Sequence, residues 1–436
     1  MHLTIQIFQE QAWIDVAELS ILDAGQQSVE LDYIQPYLIE HIFEQLGTAC
    51  GVNYPVEIIK TYRSNKLFGF LDDILPSGSS RRFWTARLDI LHLSVWEQNK
   101  TLLQKATIAP VGNLRIKEAL PSDINEYDQL RFFTVDDVVE RDIDFLEYAQ
   151  ELGAISGGAT GAGGEAPKLL VRLTGSHEVW IDALQNDIEC LDQHYIVKFP
   201  RGKRSQRDCD ILRAEFIYLQ ELNALGISAI DVNKTMLIEG EKYPSLWLPR
   251  FDVTYFQAVN HLGMESVYSI LEKGSGAVLN HFEVIDELVV KLSATGGFNV
   301  AEFVIDWVKR DLLNVMFANS DNHGRNFAFI KDKQTIKLSP VYDFAPMRAD
   351  PDGIVRSIKW GQPYEIAGEF DWKGIVNQLE KYVESDVLWY ELRALAKKLV
   401  GLKQRLKDKG IPQAFLDIPV LGMNTIELRL EKWQLI

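Results

Sequence analysis

The stretch Asn319-Ser-Asp-Asn-His-Gly-Arg-Asn326 limits the folds open to this chain more than any other. It places Asn326 five residues after Asp321. Phosphoryl transfer calls for that pair: a carboxylate takes the proton of an attacking hydroxyl, and an asparagine turns back to hold magnesium on the nucleotide phosphates. An apolar, helix-like run from Phe303 to Ala318 leads in, and the strand-like Phe327-Ala-Phe-Ile330 leads out, so the pair is predicted on a helix-to-strand loop. Asp343, in Ser339-Pro-Val-Tyr-Asp343-Phe-Ala-Pro346, lies twenty-two residues beyond Asp321. A second aspartate ending a short strand supplies the other metal ligand such a site requires. The plain alternative is a helix-capping aspartate followed by two unrelated turns.

Upstream, Gly153-Ala-Ile-Ser-Gly-Gly-Ala-Thr-Gly-Ala-Gly-Gly-Glu-Ala-Pro-Lys168 holds six glycines in sixteen residues and runs into the strand-like Leu169-Leu-Val-Arg-Leu173. Glycine lets backbone N–H groups approach an anion, which suits a loop over nucleotide phosphates; the alternative is a linker. It is not a Walker A loop, because no Gly-Lys-Ser/Thr opens a helix. Tyr195-Ile-Val-Lys198-Phe-Pro200 is a β-branched strand with one lysine, which is either an exposed edge residue or a phosphate-neutralising group. Ile211 to Leu225 is an amphipathic helix ending at Gly226, and Glu215 near its start is placed to pair with Lys198. Arg201, Lys203, Arg204 and Arg207 form a basic cluster, read either as a solvated loop or as a contact for phosphate or an acidic substrate. Leu246 to Val253 reads as a strand leaving one lobe, where an adenine-binding hinge would lie.

The first 110 residues read as a mixed α/β region: Leu3, Ile5 and Ile7 alternate with polar residues, and residues 36–48 carry apolar residues at helical spacing. Leu67 to Pro76 reads as a packed helix whose two acids, Asp72 and Asp73, face solvent. The acidic stretch around Asp136, Asp137, Glu140, Asp142 and Asp144 is read as a linker helix, and helices are predicted over Trp372–Leu379 and Leu388–Leu406. With 436 residues, 47% of them hydrophobic, the chain can build two or three domains without metal or disulfide staples. Its net charge of −17 argues against a general nucleic-acid or anionic-membrane binder. Three widely spaced cysteines, no signal-peptide pattern and no run of 18 apolar residues fit a cytoplasmic location.

Taken in order, the glycine loop, strand lysine, helix glutamate, hinge, D-x-x-x-x-N and Y-D-F resemble the HipA family of serine/threonine kinases, the toxins of bacterial toxin–antitoxin pairs. The carrying stretches are Gly163-Gly-Glu-Ala-Pro-Lys168, Tyr195 to Pro200, Ala214-Glu215, Pro249-Arg-Phe-Asp252, Ser320 to Asn326 and Ser339 to Asp343. Phe70-Leu-Asp-Asp-Ile-Leu-Pro76 and Pro110-Val-Gly-Asn113 are similar to the family's small N-terminal domain. The resemblance implies an α+β fold: a small N-terminal α/β domain (residues 1–120), a lobe with the glycine loop and ATP lysine (121–255), and a mostly helical lobe with the catalytic loop (256–436). It implies Asp321 as catalytic base and Asn326 and Asp343 as Mg²⁺ ligands. Lys198, supported by Glu215, would bind ATP phosphates, with Gly163, Gly164, Glu165, Ala166 and Lys168 over them and His323 as a further cofactor-binding residue. It further implies a protein substrate such as an aminoacyl-tRNA synthetase, a small DNA-binding antitoxin as partner, and no direct nucleic-acid or membrane contact. The family's regulatory loop serine falls on Gly161 here, which leaves Thr160 and Ser156 as candidate autophosphorylation sites.

Three other readings compete. A small-molecule or lipid kinase shares the Asp, Asn, Asp order. A metallophosphoesterase would use Asp192-Gln-His194 and Asn322-His323. A non-catalytic nucleotide-binding protein would have no need of a base at Asp321.

Overall fold

A computed structural model describes residues 1–22, 27–44, 47–108, 110–120, 131–151 and 168–436. The alternation of Leu3, Ile5 and Ile7 produces the strand His2–Gln9, with all three side chains buried. It pairs antiparallel with Ala12–Leu22 on one side and Leu114–Ile116 on the other, and Ser28–Tyr33 and Tyr62–Ser64 complete a five-stranded sheet. The helices Gly69–Ile74, Gly78–Arg87 and Val95–Lys105 share a core with this sheet through Phe70, Leu71, Trp84, Leu102 and Leu103.

A second, six-stranded sheet runs in the order Met236–Glu239, Pro244–Pro249, Gln193–Lys198, Lys168–Leu173, Glu178–Trp180, Phe133–Thr134. The last strand belongs to the acidic connector, which is therefore more than a linker helix. Phe133 pairs with Val179, and the connector continues as two short helices, Val135–Val139 and Ile143–Glu151. One of its acids, Asp137, closes a capping box with Thr134.

The Glu215 helix spans Gln206–Ala224 and starts before Ile211, because Ser205 and Asp208 form a capping box. Leu212 and Leu219 pack with Leu246 and Leu248 of the six-stranded sheet. Ile211, Ala214, Ile217, Tyr218 and Leu222 pack into the core of the helical lobe with Trp307, Phe317 and Phe344. The helix is thus held on both faces. That helical lobe is built on Val300–Met316, and beside it Gly263–Ser266, Ala328–Lys331 and Ile336–Leu338 form a three-stranded sheet. The helix read over Leu388–Leu406 is two, Ser385–Leu399 and Leu402–Asp408, separated at Gly401, whose φ of 76° ends a right-handed helix. No helix among the described residues is long and apolar enough to cross a membrane.

The helix Gly69–Ile74 is packed as expected, and of its two acids Asp72 stays part-exposed while Asp73 does not face solvent. Asp73 is 4% exposed and accepts a hydrogen bond from the Ser266 N–H at 2.7 Å. Asp72 pairs with Arg325. Both partners lie in the helical lobe, roughly 200 residues away along the chain, beyond the reach of local pattern reading.

Candidate active site

Strand register brings the first two site lysines together. Lys168 and Lys198 are direct partners on neighbouring antiparallel strands, and both are buried. Side chains opposite one another on adjacent strands share a face of the sheet, so the two ammonium groups converge. Lys198 Nζ donates to Glu215 Oε1 and to Asp343 Oδ1, each at 2.5 Å. Lys168 Nζ reaches Asp343 Oδ2 at 3.4 Å. Two ammoniums and two carboxylates therefore form one buried cluster that bridges strand, helix and the Tyr342-Asp343-Phe344 segment.

Electrostatics within the cluster follow from burial and proximity. Burial opposes the Lys198 charge, but Asp343 and Glu215 outweigh it and push its pKa up. Lys168, desolvated and beside Lys198, is pushed down despite Asp343. Burial acts against the Asp343 charge, yet Lys168 and Lys198 hold its pKa well below the usual carboxylate range. Asp343 sits at φ 53°, a left-handed conformation that aspartate tolerates better than most residues.

The loop between Val300–Met316 and Ala328–Lys331 is anchored residue by residue. Asn322 clamps the segment beneath it, donating to Ile358 O at 2.9 Å and accepting from Ser357 N at 3.0 Å. Gly324 lies against the Tyr268 ring so closely that a Cβ there would meet Cδ1 at 2.4 Å. Asn326 Nδ2 donates to Asp321 O at 2.7 Å, closing the loop on itself. The amide oxygen of Asn326 is buried and has no hydrogen-bond partner. His323 accepts from Arg325 N through Nδ1 at 3.2 Å, which leaves the ring proton on Nε2, 3.5 Å from Asp321 Oδ1.

Two hollows join these parts. Val111, Ile196, Ile230, Leu248 and Met264 line an apolar one that also touches Lys168, Lys198 and Asp343. Its polar edge is the pair Arg250 and Asp252, 2.5 Å apart and buried, with Asp252 also accepting from Gly112 N at 2.7 Å. The second hollow touches Lys198, Glu215, Asp343 and Asp321, so Asp321 borders the same cleft. Gly163, Gly164, Glu165, Ala166, Thr160 and Ser156 lie outside the described residues. Lys168 meets the site through its side chain, a role that only the strand register reveals. Of the basic cluster, Arg201 is paired with Asp350 at 3.2 Å, across the two lobes.

The residues of the metallophosphoesterase reading are engaged elsewhere. Asp192 accepts from Trp180 Nε1 at 2.9 Å, His194 Nδ1 lies 2.9 Å from Tyr255 OH, and Asn322 holds the backbone at 357–358. Among the described residues no group of three His, Cys, Asp or Glu side chains has metal-holding geometry.

The comparisons with known proteins agree with this architecture. Toxin YjjJ of Escherichia coli (strain K12) is 31% identical over 173 residues. That match spans 38% of this chain and 36% of the relative, so the chain covers little more than a third of the relative's length. HipA in the Shewanella oneidensis MR-1 HipA, HipB and operator DNA complex superposes with a TM-score of 0.65 at 17% identity, over 99% of this chain and 97% of that one. It shares the fold from end to end. The Helicobacter pylori proinflammatory kinase CtkA gives a TM-score of 0.38 at 11% identity over 62% of this chain and 89% of its own, too weak a likeness to argue from. The HipA-like C-terminal domain family matches residues 160–399, more than half of the chain, and this protein belongs to that family.

Proposed function

We propose that the chain is an ATP- and Mg²⁺-dependent serine/threonine protein kinase of HipA type, acting as a toxin on a protein of the translation machinery. The observation that carries the reading is the buried cluster of Lys168, Lys198, Glu215 and Asp343 in one cleft with Asp321. In this reading Lys198, held by Glu215, neutralises nucleotide phosphate charge, and Lys168 adds a second cation. Asp321 takes the proton of the attacking hydroxyl as the oxygen bonds to the γ-phosphorus and ADP leaves. The unpartnered Asn326 amide oxygen and the Asp343 carboxylate fit a hard, oxygen-seeking cation. They would hold Mg²⁺, which supplies further charge neutralisation on the phosphates. The apolar hollow beside the Arg250–Asp252 hinge suits a purine base.

The toxin reading draws on the name of the Escherichia coli relative, and a small DNA-binding antitoxin partner draws on the HipA–HipB–DNA complex. Incubation of the purified chain with γ-labelled ATP, Mg²⁺ and a bacterial lysate tests the reading. Label transferred to a protein by the wild type and not by Asp321→Ala supports it. No transfer with Mg²⁺ present, or transfer only to small molecules, overturns the protein-kinase assignment.

A further inference from the structure

We propose that Asp72, on the N-terminal domain, is a positioning residue for the catalytic loop: its carboxylate braces Arg325 and thereby sets Asn326 and Asp321. The inference rests on the kinase reading of that loop. Arg325 precedes Asn326 and ties the loop together through three groups. Its N–H donates to His323 Nδ1 at 3.2 Å, its carbonyl accepts from Tyr342 OH at 2.5 Å, and its guanidinium, 7% exposed, pairs with Asp72. One residue therefore links the helix Gly69–Ile74, the loop of Asp321 and the residue preceding Asp343.

The brace stands on a fixed platform. Gly69 lies against Ser269 so closely that a Cβ would meet its carbonyl oxygen at 2.4 Å. Gly69 N donates to Glu272 Oε1 at 3.2 Å, and Asp73 accepts from Ser266 N at 2.7 Å. The segment 266–272 thus takes the helix on one side, and through Tyr268 it takes Gly324 of the loop on the other. Without the Asp72 charge, a buried guanidinium loses its carboxylate partner and must seek another, carrying Arg325 and its neighbour Asn326 with it. Asp72 shares no ion pair with Lys168 or Lys198, so the charge cluster stays in place while Asn326, a proposed Mg²⁺ ligand, shifts; turnover should fall and KM for Mg²⁺-ATP should rise with it.

The test compares full-length wild type with Asp72→Asn, Asp72→Glu, Arg325→Gln and the Asp72→Asn/Arg325→Gln double variant. It measures ATP turnover with Mg²⁺, hydrogen exchange over residues 321–327, and melting temperature. For Asp72→Asn the expected result is a kcat about tenfold lower with KM for Mg²⁺-ATP raised about threefold or more, faster exchange in 321–327, and recovery in Asp72→Glu. The double variant should be no worse than Arg325→Gln alone, because the two side chains act as one unit. A lowered melting temperature with kcat and exchange unchanged would mean a structural contact only, and overturns the proposal. If the wild type turns over no ATP, the kinase reading falls and the exchange measurement alone decides the brace: unchanged exchange in Asp72→Asn ends it.

Discussion

Asp343 is shared by two buried lysines, and its two oxygens are divided between them, Oδ1 to Lys198 and Oδ2 to Lys168. Asp321 makes no ion pair with that cluster, and its Oδ1 lies 3.5 Å from His323 Nε2. The two aspartates should therefore fail differently. Asp343→Ala removes a proposed metal ligand and leaves two converging ammoniums with Glu215, bonded to Lys198, as the remaining carboxylate of the cluster, so binding of Mg²⁺-ATP and turnover should both fall. Asp321→Ala should abolish phosphoryl transfer and leave ATP affinity within a few-fold. Calorimetry with ATP and initial rates on both variants separate the cases, and equal loss of ATP affinity in the two contradicts the assignment of roles. Asp73 offers a second residue-scale test. Burial raises its pKa from 3.8 to about 7, against the pull of its Ser266 hydrogen bonds. A folded pKa above the unfolded one means stability that is fully present below about pH 4 and is lost as pH rises through about 7. At about 1.4 kcal/mol per unit, Asp73→Asn should become more stable than wild type by a margin that grows by up to about 4 kcal/mol from pH 4 to pH 8. Urea melts at the two pH values check this, and parallel curves for the two proteins would contradict it.

Elements carry the site because their ends are well defined. The Ser205–Asp208 capping box starts the Gln206–Ala224 helix three turns before Glu215 reaches Lys198. Ser205→Ala should cost about 1 kcal/mol in denaturant unfolding with little change in KM for ATP, since the helix is held on both faces beyond its first turn. That box, a serine followed three residues later by an acid, was visible in the sequence, yet the apolar period from Ile211 set the predicted start. The same weighting ran Leu388–Leu406 through Gly401, where a single left-handed residue outranks a continuous apolar pattern. Site side chains were more legible than element ends. Lys198, Glu215, Asp321, Asn326 and Asp343 are picked out by spacing, and the structure sets Lys198, Glu215, Asp321 and Asp343 along one hollow. What stayed hidden depends on distant pairing. The Lys168 contact needs strand register, and Asp72–Arg325, Asp73–Ser266 and Gly112–Asp252 join segments more than a hundred residues apart.

At the scale of the molecule, the N-terminal domain touches both the six-stranded sheet and the helical lobe. Toward the six-stranded sheet, Trp13 Nε1 donates to Gln185 O at 3.0 Å and Arg115 Nη1 to Leu184 O at 2.5 Å. Toward the helical lobe, Val52 N donates to Glu265 at 2.8 Å, Asn53 Nδ2 to Ile270 O at 2.9 Å, and Tyr54 OH to Glu272 at 2.5 Å. Between these two sets of contacts, Gly112 N donates to Asp252. The lobes are also joined directly: Ile230 N donates to Val341 O at 3.2 Å, Val341 N to Ser228 O at 2.8 Å, and Arg201 pairs with Asp350. Hinge closure needs one side of the cleft free to swing, and here a third body spans both sides while the Glu215 helix is packed between them. Nucleotide should therefore enter without a large change in shape. Small-angle scattering checks this: a compact chain of this length has a radius of gyration of about 22 Å, and saturating Mg²⁺-ATP analogue should shift it by less than about 1 Å. A contraction well beyond that would mean that the lobes open in solution, and that the contacts of Val52, Tyr54, Trp13 and Arg115 do not hold them together.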